Sequence, residues 1–315
     1  MKYFILLSII AILSLDSCKK YEPVYDPEFQ TLGDTILDVV YVHNDILHIT
    51  NQYFIQDQII SSASLNFNKM LRLSPDKRKV AYMNTSNNII IMNLSDGSIE
   101  ATLTQYNTAN DMDWTTDSKT LYILQNNQIF QYGDPLMLPN QPLFQFPVNA
   151  TDRTISSISI SPNGTVASAF RYKIFSTFQG YNYYTGVQTK PISGSTIKME
   201  NISTIEYEKI YKKLRYHATE DRFIVNYLDN EQNWHFVGFV PLTSGDITPS
   251  GIISDFSIGL LSAEHAIVSP KYTDQFIVPI SNNKLRSYFS NTNSEAFLEK
   301  QLVSSSSNII PIDWR

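Results

Sequence analysis

The chain has 315 residues and a formal net charge of −6, and charged residues make up only 17% of it. Acidic and basic residues are interspersed without a basic patch, which argues against nucleic acid as a partner. β-Branched and aromatic residues are dense and helical spacing of apolar residues is scarce, so the composition favours an all-β protein.

The first 17 residues have the layout of an export signal. Lys2 gives a positive start, an apolar run covers residues 3–15, and Ser17 lies directly before Cys18. Because a membrane-spanning helix needs roughly 20 apolar residues, this run is too short to remain as a span. Cys18 is the only cysteine, so the mature chain can form no internal disulfide.

The sequence Leu15-Asp16-Ser17-Cys18 resembles a bacterial lipobox. In that family the signal is removed in front of the cysteine, which carries a thioether-linked diacylglycerol and usually a third acyl chain. The resemblance implies lipidation of Cys18 and a protein tethered to a membrane, since two or three acyl chains anchor a protein firmly. A plain thiol at Cys18, in a signal cut elsewhere, is the alternative.

Residues 18–31 are polar, contain two prolines and lack a hydrophobic period, which is typical of a tether. Lys19 and Lys20, followed by acidic residues, resemble the tails that send lipoproteins of the Bacteroidetes to the cell surface. We therefore expect a lipid-anchored protein of the outer membrane in the cell envelope, with the periplasmic and surface-facing sides left open. The predicted organisation is a signal peptide at 1–17, a tether at 18–31 and one domain at 32–315.

A segment of strand, polar turn and second strand recurs along this domain, most clearly as LRLSPDKRKVAY at residues 71–82. Aligned positions in the five copies are Ser74, Thr115, Ser161, Ala218 and Ser269, with steps of 41, 46, 57 and 51 residues. Pro, Asp, Asn and Gly in the turns favour hairpins. The steps are close to the length of propeller blades, about 40 to 50 residues each.

The two ends of the domain are complementary. Residues 312–314 repeat the Met-Asp-Trp pattern of residues 112–114 in altered form, as a single strand that needs partners. Segments 37–42 and 46–50 can supply them. We therefore predict a β-propeller of six blades, with seven possible, closed by pairing of the C-terminal strand with the N-terminal blade.

The Leu-Ser-Pro-Asp turn followed by the Val-Ala-Tyr strand, within residues 73–82, resembles the TolB-like and WD-related β-propellers. The repeat covers nearly the whole mature chain. The motif is structural, so the resemblance implies a fold and no substrate.

No pattern identifies a cofactor or metal site. The five histidines lack a metal-binding spacing, and the sequence contains no Gly-x-Ser-x-Gly elbow, P-loop or dinucleotide fingerprint. We predict no cofactor and no metal.

Paired carboxylates are the remaining catalytic candidates, because propeller glycosidases place acids on strands near the central axis. The candidates are Asp111 and Asp113, Glu220 and Asp221, Asp255, and Asp313. Most of them fall in copies of the recurring strand–turn–strand segment, where an Asp side chain usually caps the backbone of the turn. We therefore predict no catalytic residue among them.

The densest aromatic cluster lies between residues 170 and 184. Flat rings of this kind can bind sugars, and the predicted ligand contacts are Arg171, Tyr172, Phe178, Tyr181, Tyr183 and Tyr184. Packing of alternating aromatic residues within a strand hairpin is the competing interpretation. Residues 204–216, the longest charged stretch, are predicted to be an insertion, either a short amphipathic contact surface or a solvated loop.

Two functional hypotheses follow. The first is a non-enzymatic binding or scaffold module for a protein or glycan. The alternative is a carbohydrate-active hydrolase or lyase with acids in the central funnel. The sequence favours the first because it contains no recognisable catalytic constellation.

Overall fold

The protein, in a computed structural model, is built entirely from β-strands over the part of the chain that the structure describes. That part comprises residues 36–61, 65–133, 142–145, 154–177, 180–191, 198–202, 210–217, 221–228, 234–241, 247–256, 266–270, 275–280, 284–291, 294–301 and 312–315. The predicted signal peptide and tether, with Cys18, lie outside the described residues.

The first twelve strands are β1 (Val39–His43), β2 (Ile46–Thr50), β3 (Asp57–Ser61), β4 (Phe67–Leu73), β5 (Lys79–Asn84), β6 (Ile89–Asn93), β7 (Ile99–Leu103), β8 (Ala109–Trp114), β9 (Leu121–Gln125), β10 (Gln128–Tyr132), β11 (Phe144–Gln145) and β12 (Thr154–Ile160). The others are β13 (Thr165–Ser176), β14 (Gly180–Pro191), β15 (Lys198–Ile202), β16 (Ile210–His217), β17 (Arg222–Leu228), β18 (Trp234–Pro241), β19 (Ile247–Phe256), β20 (Ile267–Val268), β21 (Gln275–Ile280), β22 (Lys284–Asn291), β23 (Ser294–Gln301) and β24 (Ile312–Trp314).

These strands form six antiparallel sheets of four strands each within the described ranges. Their strand orders are β24-β1-β2-β3, β4-β5-β6-β7, β8-β9-β10-β11, β12-β13-β14-β15, β16-β17-β18-β19 and β20-β21-β22-β23. A succession of four-stranded meanders is the architecture of a β-propeller, and the predicted all-β propeller fold is confirmed.

The first sheet joins the two ends of the domain. β24 pairs with β1 so that Val39, Val40 and Tyr41 lie opposite Trp314, Asp313 and Ile312, respectively. Arg315 N–H also donates to Asp38 O at 3.0 Å. The last described strand therefore takes the innermost place in a sheet whose other strands come from the start of the domain.

The strands read as nearly continuous apolar runs because both faces of each sheet are covered. In β5, Val80 and Tyr82 pack in a cluster with residues of the first sheet. Ala81 and Met83, which point to the opposite face, pack with residues of the third sheet. Alternate side chains of β5 thus pack against two different neighbouring sheets. Each fully buried Val or Leu side chain contributes about 1.5–3 kcal/mol, so these clusters supply much of the stability.

Apolar clusters of this kind lie between the first and second, second and third, third and fourth, fourth and fifth, and first and sixth sheets. Between the fifth and sixth sheets, Asn226 Nδ2 donates to Ala266 O at 3.3 Å. Each described sheet therefore contacts a neighbour on both sides.

The innermost strands share a local irregularity. The pairing register shifts in β4, β8, β12 and β16, in each case before the second half of the strand. A bulge re-aims the side chains that follow it. In β8, β12 and β16 the residues immediately after the shift are Asp111, Ser157 and Lys213.

Two sequence predictions about the fifth sheet are wrong. Ile210–His217 form the innermost strand β16, and not the predicted insertion; residues 203–209 lie outside the described part. Lys212, Lys213 and Arg215 belong to a strand whose Leu214 is fully buried. Tyr216 N–H donates to a side chain of the preceding innermost strand, as Leu73 N–H does, so Tyr216 is equivalent to Leu73. The next residue, His217, and not Ala218, therefore takes the position of Ser74.

From residue 36 onward, the described chain contains no helix long and apolar enough to cross a bilayer.

Candidate functional site

The innermost strands place one side chain each at the same level. In sheet order these residues, called here the axial ring, are Asp313, Arg72, Asp113, Ser159, Arg215 and Ile267. The five polar members are all buried, with at most 8% of their surface exposed. Buried charges of this kind must be paired or hydrogen-bonded to be tolerated.

Side chains of the ring complete the backbone hydrogen bonding of the next innermost strand. Leu73 N–H donates to Asp313 Oδ2 at 2.8 Å. Ile160 N–H donates to Asp113 Oδ2 at 3.1 Å, and Tyr216 N–H donates to Ser159 Oγ at 2.8 Å. The inner edge of a sheet would otherwise expose these amides without partners, so the ring satisfies an edge strand.

The residues that directly follow the bulges make a second set of the same hydrogen bonds, in which Asp and Ser side chains accept backbone N–H groups of the next innermost strand. Ile158 N–H donates to Asp111 Oδ2 at 3.0 Å, and Ser157 Oγ donates to the same oxygen at 2.5 Å. Leu214 N–H in turn donates to Ser157 Oγ at 2.9 Å. Asp and Ser side chains thereby connect the third, fourth and fifth sheets twice.

Arginines from three sheets pair with the aspartates. Arg215 reaches past the sixth sheet and donates to Asp313 Oδ1 through Nη2 at 2.7 Å and Nε at 3.2 Å. Arg72 pairs with Asp111, and Arg315 pairs with Asp113. At the position equivalent to Arg72, the sixth sheet has Ile267, which packs in the apolar cluster of the first and sixth sheets.

Burial and charge shift the pKa values of this network. Burial alone would raise the pKa of Asp313, but Arg215, Lys213 and Arg72 outweigh it and lower that pKa below its ordinary value. Burial, followed by repulsion from Arg215, lowers the pKa of Arg72 to about 10. Burial, followed by repulsion from Arg72, lowers the pKa of Arg315 to about 9. Both guanidinium groups therefore stay protonated at neutral pH.

Lys213 is the fourth cation of the axis. Burial, reinforced by Arg215, lowers its pKa well below the ordinary value of a lysine. Asp313 acts in the opposite direction. Burial and the neighbouring Arg215 therefore both disfavour the protonated form of Lys213.

A funnel opens above the axial ring, where the innermost strands run into their turns. The cavity measures ≈ 200 Å³ and is lined by Pro75, Thr116, Ile160, Pro162, Arg215, Tyr216, His217, Ile224, Val268, Ser269, Pro270, Trp314 and Arg315. Every one of the six sheets contributes to this wall. The funnel is the concave site of the described molecule at which a ligand can contact all the sheets together.

The turn residues around the mouth are held by their own hydrogen bonds. Ser74 Oγ donates to Asp76 Oδ1 at 2.7 Å and accepts Lys79 N–H at 2.9 Å. Thr115 and Ser161 make the corresponding bonds in the third and fourth sheets. The hydrogen bonds of these hydroxyls are made within the turns, in line with the predicted hairpins.

The structure shows where most of the candidate acids lie. Asp111, Asp113 and Asp313 lie on innermost strands, as predicted for Asp313, and do not cap turns. Asp221 does lie in a turn, with φ 45°, and accepts the Tyr216 hydroxyl. The backbone of Asp255 is on the outermost strand β19. Glu220 lies outside the described residues.

The predicted aromatic contacts fall on the long hairpin β13–β14. Tyr172 is opposite Tyr184, and Lys173 is opposite Tyr183. Tyr181 pairs with Phe175 in the same hairpin. Arg171 is partly buried at the start of this region, and Phe178 lies outside the described residues. None of these residues is among the described residues that line the funnel.

His217 is the histidine that lines the funnel. The described residues contain no group of three or more His, Cys, Asp or Glu side chains placed to hold a metal ion.

Sequence reasoning missed Arg72, Arg215 and Arg315 as site residues. A signal for two of them was present, because Arg72 and Arg215 each directly follow a leucine, and both leucines are buried. Aligning Ala218 with Ser74 placed Tyr216 at the ring position and thereby hid Arg215. A slip of one residue exchanges the two faces of a strand.

No family model matches the chain, and no curated protein matches it. Solved structures that are similar include the hydrazine synthase of Kuenenia stuttgartiensis, with 12% identity, a TM-score of 0.47, and coverage of 78% of this chain and 73% of that one. A chain of a mitotic checkpoint complex shows 9% identity and a TM-score of 0.47, covering 77% and 67%. The Cps50 (Swd1) β-propeller domain of Myceliophteria thermophila shows 10% identity and a TM-score of 0.44, covering 73% and 67%. The propeller fold is assigned from the six sheets, independently of these likenesses.

Proposed function

We propose that the protein is a lipid-anchored envelope protein whose β-propeller acts as a non-enzymatic binding module for a protein or glycan partner, with the funnel as the binding site. Its six sheets form six blades of one ring, closed by the pairing of β24 with β1. The lipobox resemblance at Cys18 supports the anchor, and the cluster between the first and sixth sheets supports the closure.

One observation favours binding over catalysis, namely that both oxygens of all three axial carboxylates are occupied. Asp111 and Asp113 each accept backbone N–H groups, a serine hydroxyl and an arginine. Asp313 accepts Leu73 N–H and two bonds from Arg215. A general acid or nucleophile needs an oxygen that faces the substrate. These carboxylates therefore support the alternative of a hydrolase or lyase poorly.

Site-specific photocrosslinking in cells tests the binding role. A photoreactive residue placed at Thr116, which is exposed and lines the funnel, is expected to capture a partner. The matched control is Thr102, which is exposed on the outermost strand β7. Equal capture from both positions, or from neither, would argue against the funnel as the binding site.

The anchor is tested with the same cells. Addition of protease to intact cells, followed by blotting for the domain, distinguishes a surface-facing from a periplasmic protein. The Cys18→Ala variant is expected to leave the membrane fraction. A variant that remains membrane-bound would contradict lipidation at Cys18.

A further inference from the structure

Two histidines of the first sheet lie beside one carboxylate. His48 Nδ1 is 3.4 Å from Asp57 Oδ2, and the Tyr41 hydroxyl donates to Asp57 Oδ1 at 2.9 Å. The ring of His48 stacks on the ring of Tyr41 with centroids 4.7 Å apart, and the ring of His43 lies 6.3 Å from that of His48. A proton on His48 therefore has a negative charge within reach, whereas a second proton, on His43, meets a positive neighbour.

This group lies on the face of the first sheet that packs against the sixth sheet. Tyr41 belongs to an apolar cluster with Ile277 and Leu285 of the sixth sheet. His43 is two residues further along β1, and His48 is directly opposite Tyr41 on β2, so both histidines are on the same face as Tyr41. The proposed ring closes at this interface.

Asp57 is the carboxylate of this interface in the part of the chain that the structure describes. Among the described side chains, the charges that act on His43 are those of His48 and Asp57. The segment 51–56 between β2 and β3 contains no charged residue. The facing positions described on β20, β21 and β22 of the sixth sheet do not titrate; they are Ile267, Gln275, Ile277, Leu285 and Ser287.

The charged residues of the sixth sheet do not supply a second negative charge. Lys284 and Arg286 occupy the alternate positions of β22, on the opposite face. Lys300 of β23 is opposite Leu285, which places it at a facing position of the register. A second proton on the histidine pair is thus balanced by no described group of this interface.

The same interface contains buried polar atoms that make no hydrogen bond within the described ranges. They are His43 Nε2, Gln275 Oε1, Ser287 Oγ and Trp314 Nε1. Each such atom costs about 1–3 kcal/mol. The first and sixth sheets are therefore held together less firmly than their apolar cluster alone would provide.

The electrostatics of His43 give this interface a dependence on pH. Burial, reinforced by repulsion from His48, lowers the pKa of His43 below its ordinary value of 6.5, and Asp57 opposes the shift. The unfolded chain therefore binds this proton at a higher pH than the folded protein. Stability is unaffected above the ordinary value and falls as the pH decreases through it towards the lower folded pKa.

We propose that His43, His48 and Asp57 form a pH-sensitive contact between the first and sixth sheets, which loosens when the second histidine is protonated. Trp314 of the first sheet and Val268, Ser269 and Pro270 around the end of β20 line the funnel, so loosening separates two parts of the funnel wall. This switch operates whether or not the funnel binds a partner.

Hydrogen–deuterium exchange of the purified full-length lipoprotein in detergent tests the switch at neutral pH and at pH 5. Rates are corrected for the intrinsic pH dependence of amide exchange. We expect amides of β1 and β22 to lose protection at least fivefold at pH 5, while those of β9 and β10 in the third sheet change less than twofold. Unchanged protection of β1 and β22, or an equal loss in all sheets, overturns the inference.

Variants assign the response to the histidine pair. His43→Gln is expected to abolish the loss of protection in acid, while His235→Gln, at a histidine of the fifth sheet, leaves it unchanged. Asp57→Asn removes the negative charge and is expected to enlarge the loss. This variant keeps the test decisive if His43→Gln fails to fold. A full acid response in His43→Gln, or a response in Asp57→Asn no larger than that of the wild type, would contradict the proposed switch.

Discussion

At the scale of single residues, the axis shows aspartate and serine acting as substitutes for a neighbouring strand. Ser159 Oγ donates to Asp113 Oδ2 at 3.0 Å and accepts Tyr216 N–H at 2.8 Å. A single hydroxyl thus connects three sheets. Because such a group is buried between fixed partners, its removal leaves an unpaired amide instead of an exchange with water.

Ser159→Ala is therefore expected to lower the free energy of unfolding by about 1–3 kcal/mol, the cost of a buried unsatisfied group. Urea unfolding followed by circular dichroism measures it. The matched control is Ser98→Ala, at an exposed turn hydroxyl bonded to Asp96, with an expected change within about 0.5 kcal/mol. Equal effects of the two substitutions would show that the axial hydroxyl has no special role.

Asp313 makes the stability of the folded protein depend on pH in the acidic range. Its pKa is lowered in the folded protein, so the unfolded chain takes up this proton at a higher pH than the folded one. The stabilisation is therefore complete above the ordinary value of 3.8 and is lost as pH falls through the lower folded pKa. Thermal melts between neutral pH and pH 3 should show a melting temperature that falls as the pH is lowered. This fall should be less steep in Asp313→Asn than in the wild type. An identical acid slope in both proteins would contradict this assignment.

At the scale of elements, the hairpins are the part of the fold that local sequence specifies. Ser-Pro-Asp and its variants set the turns, and apolar runs set the strands, so the antiparallel hairpins and the pairing partner of β24 were predictable. The axial ring was not, because neither the apolar runs nor the turns show which residue of each innermost strand faces the axis. In the fifth sheet, an alignment error of one residue concealed Arg215.

Gly133, directly after β10, illustrates a requirement that belongs to an element. Its φ is +107°, and a Cβ at this position would lie 2.3 Å from Lys119 O. Gly133→Ala is expected to destabilise the protein by more than about 1 kcal/mol, because the backbone itself must move. Gly97→Ala, in the turn between β6 and β7 with φ 69°, measures mainly the cost of a left-handed conformation. Urea unfolding that gave the same small loss for both variants would contradict the clash.

At the scale of the whole molecule, sheets far apart in sequence meet at one axis. Arg315 pairs with Asp113 two sheets away, and Arg215 reaches Asp313 past the sixth sheet. Such pairs form only if the innermost strands converge. The buried pairs thereby hold the innermost strands of these sheets in a particular arrangement.

A double-mutant cycle on Arg215 and Asp313 tests whether these charges join distant sheets at one axis. The free energy of unfolding is measured for the wild type, Arg215→Gln, Asp313→Asn and the double variant. We expect a coupling of about 1–3 kcal/mol between these two positions. Additive effects, with a coupling below about 0.3 kcal/mol, would mean that the two side chains do not meet and that the ring is not built around them.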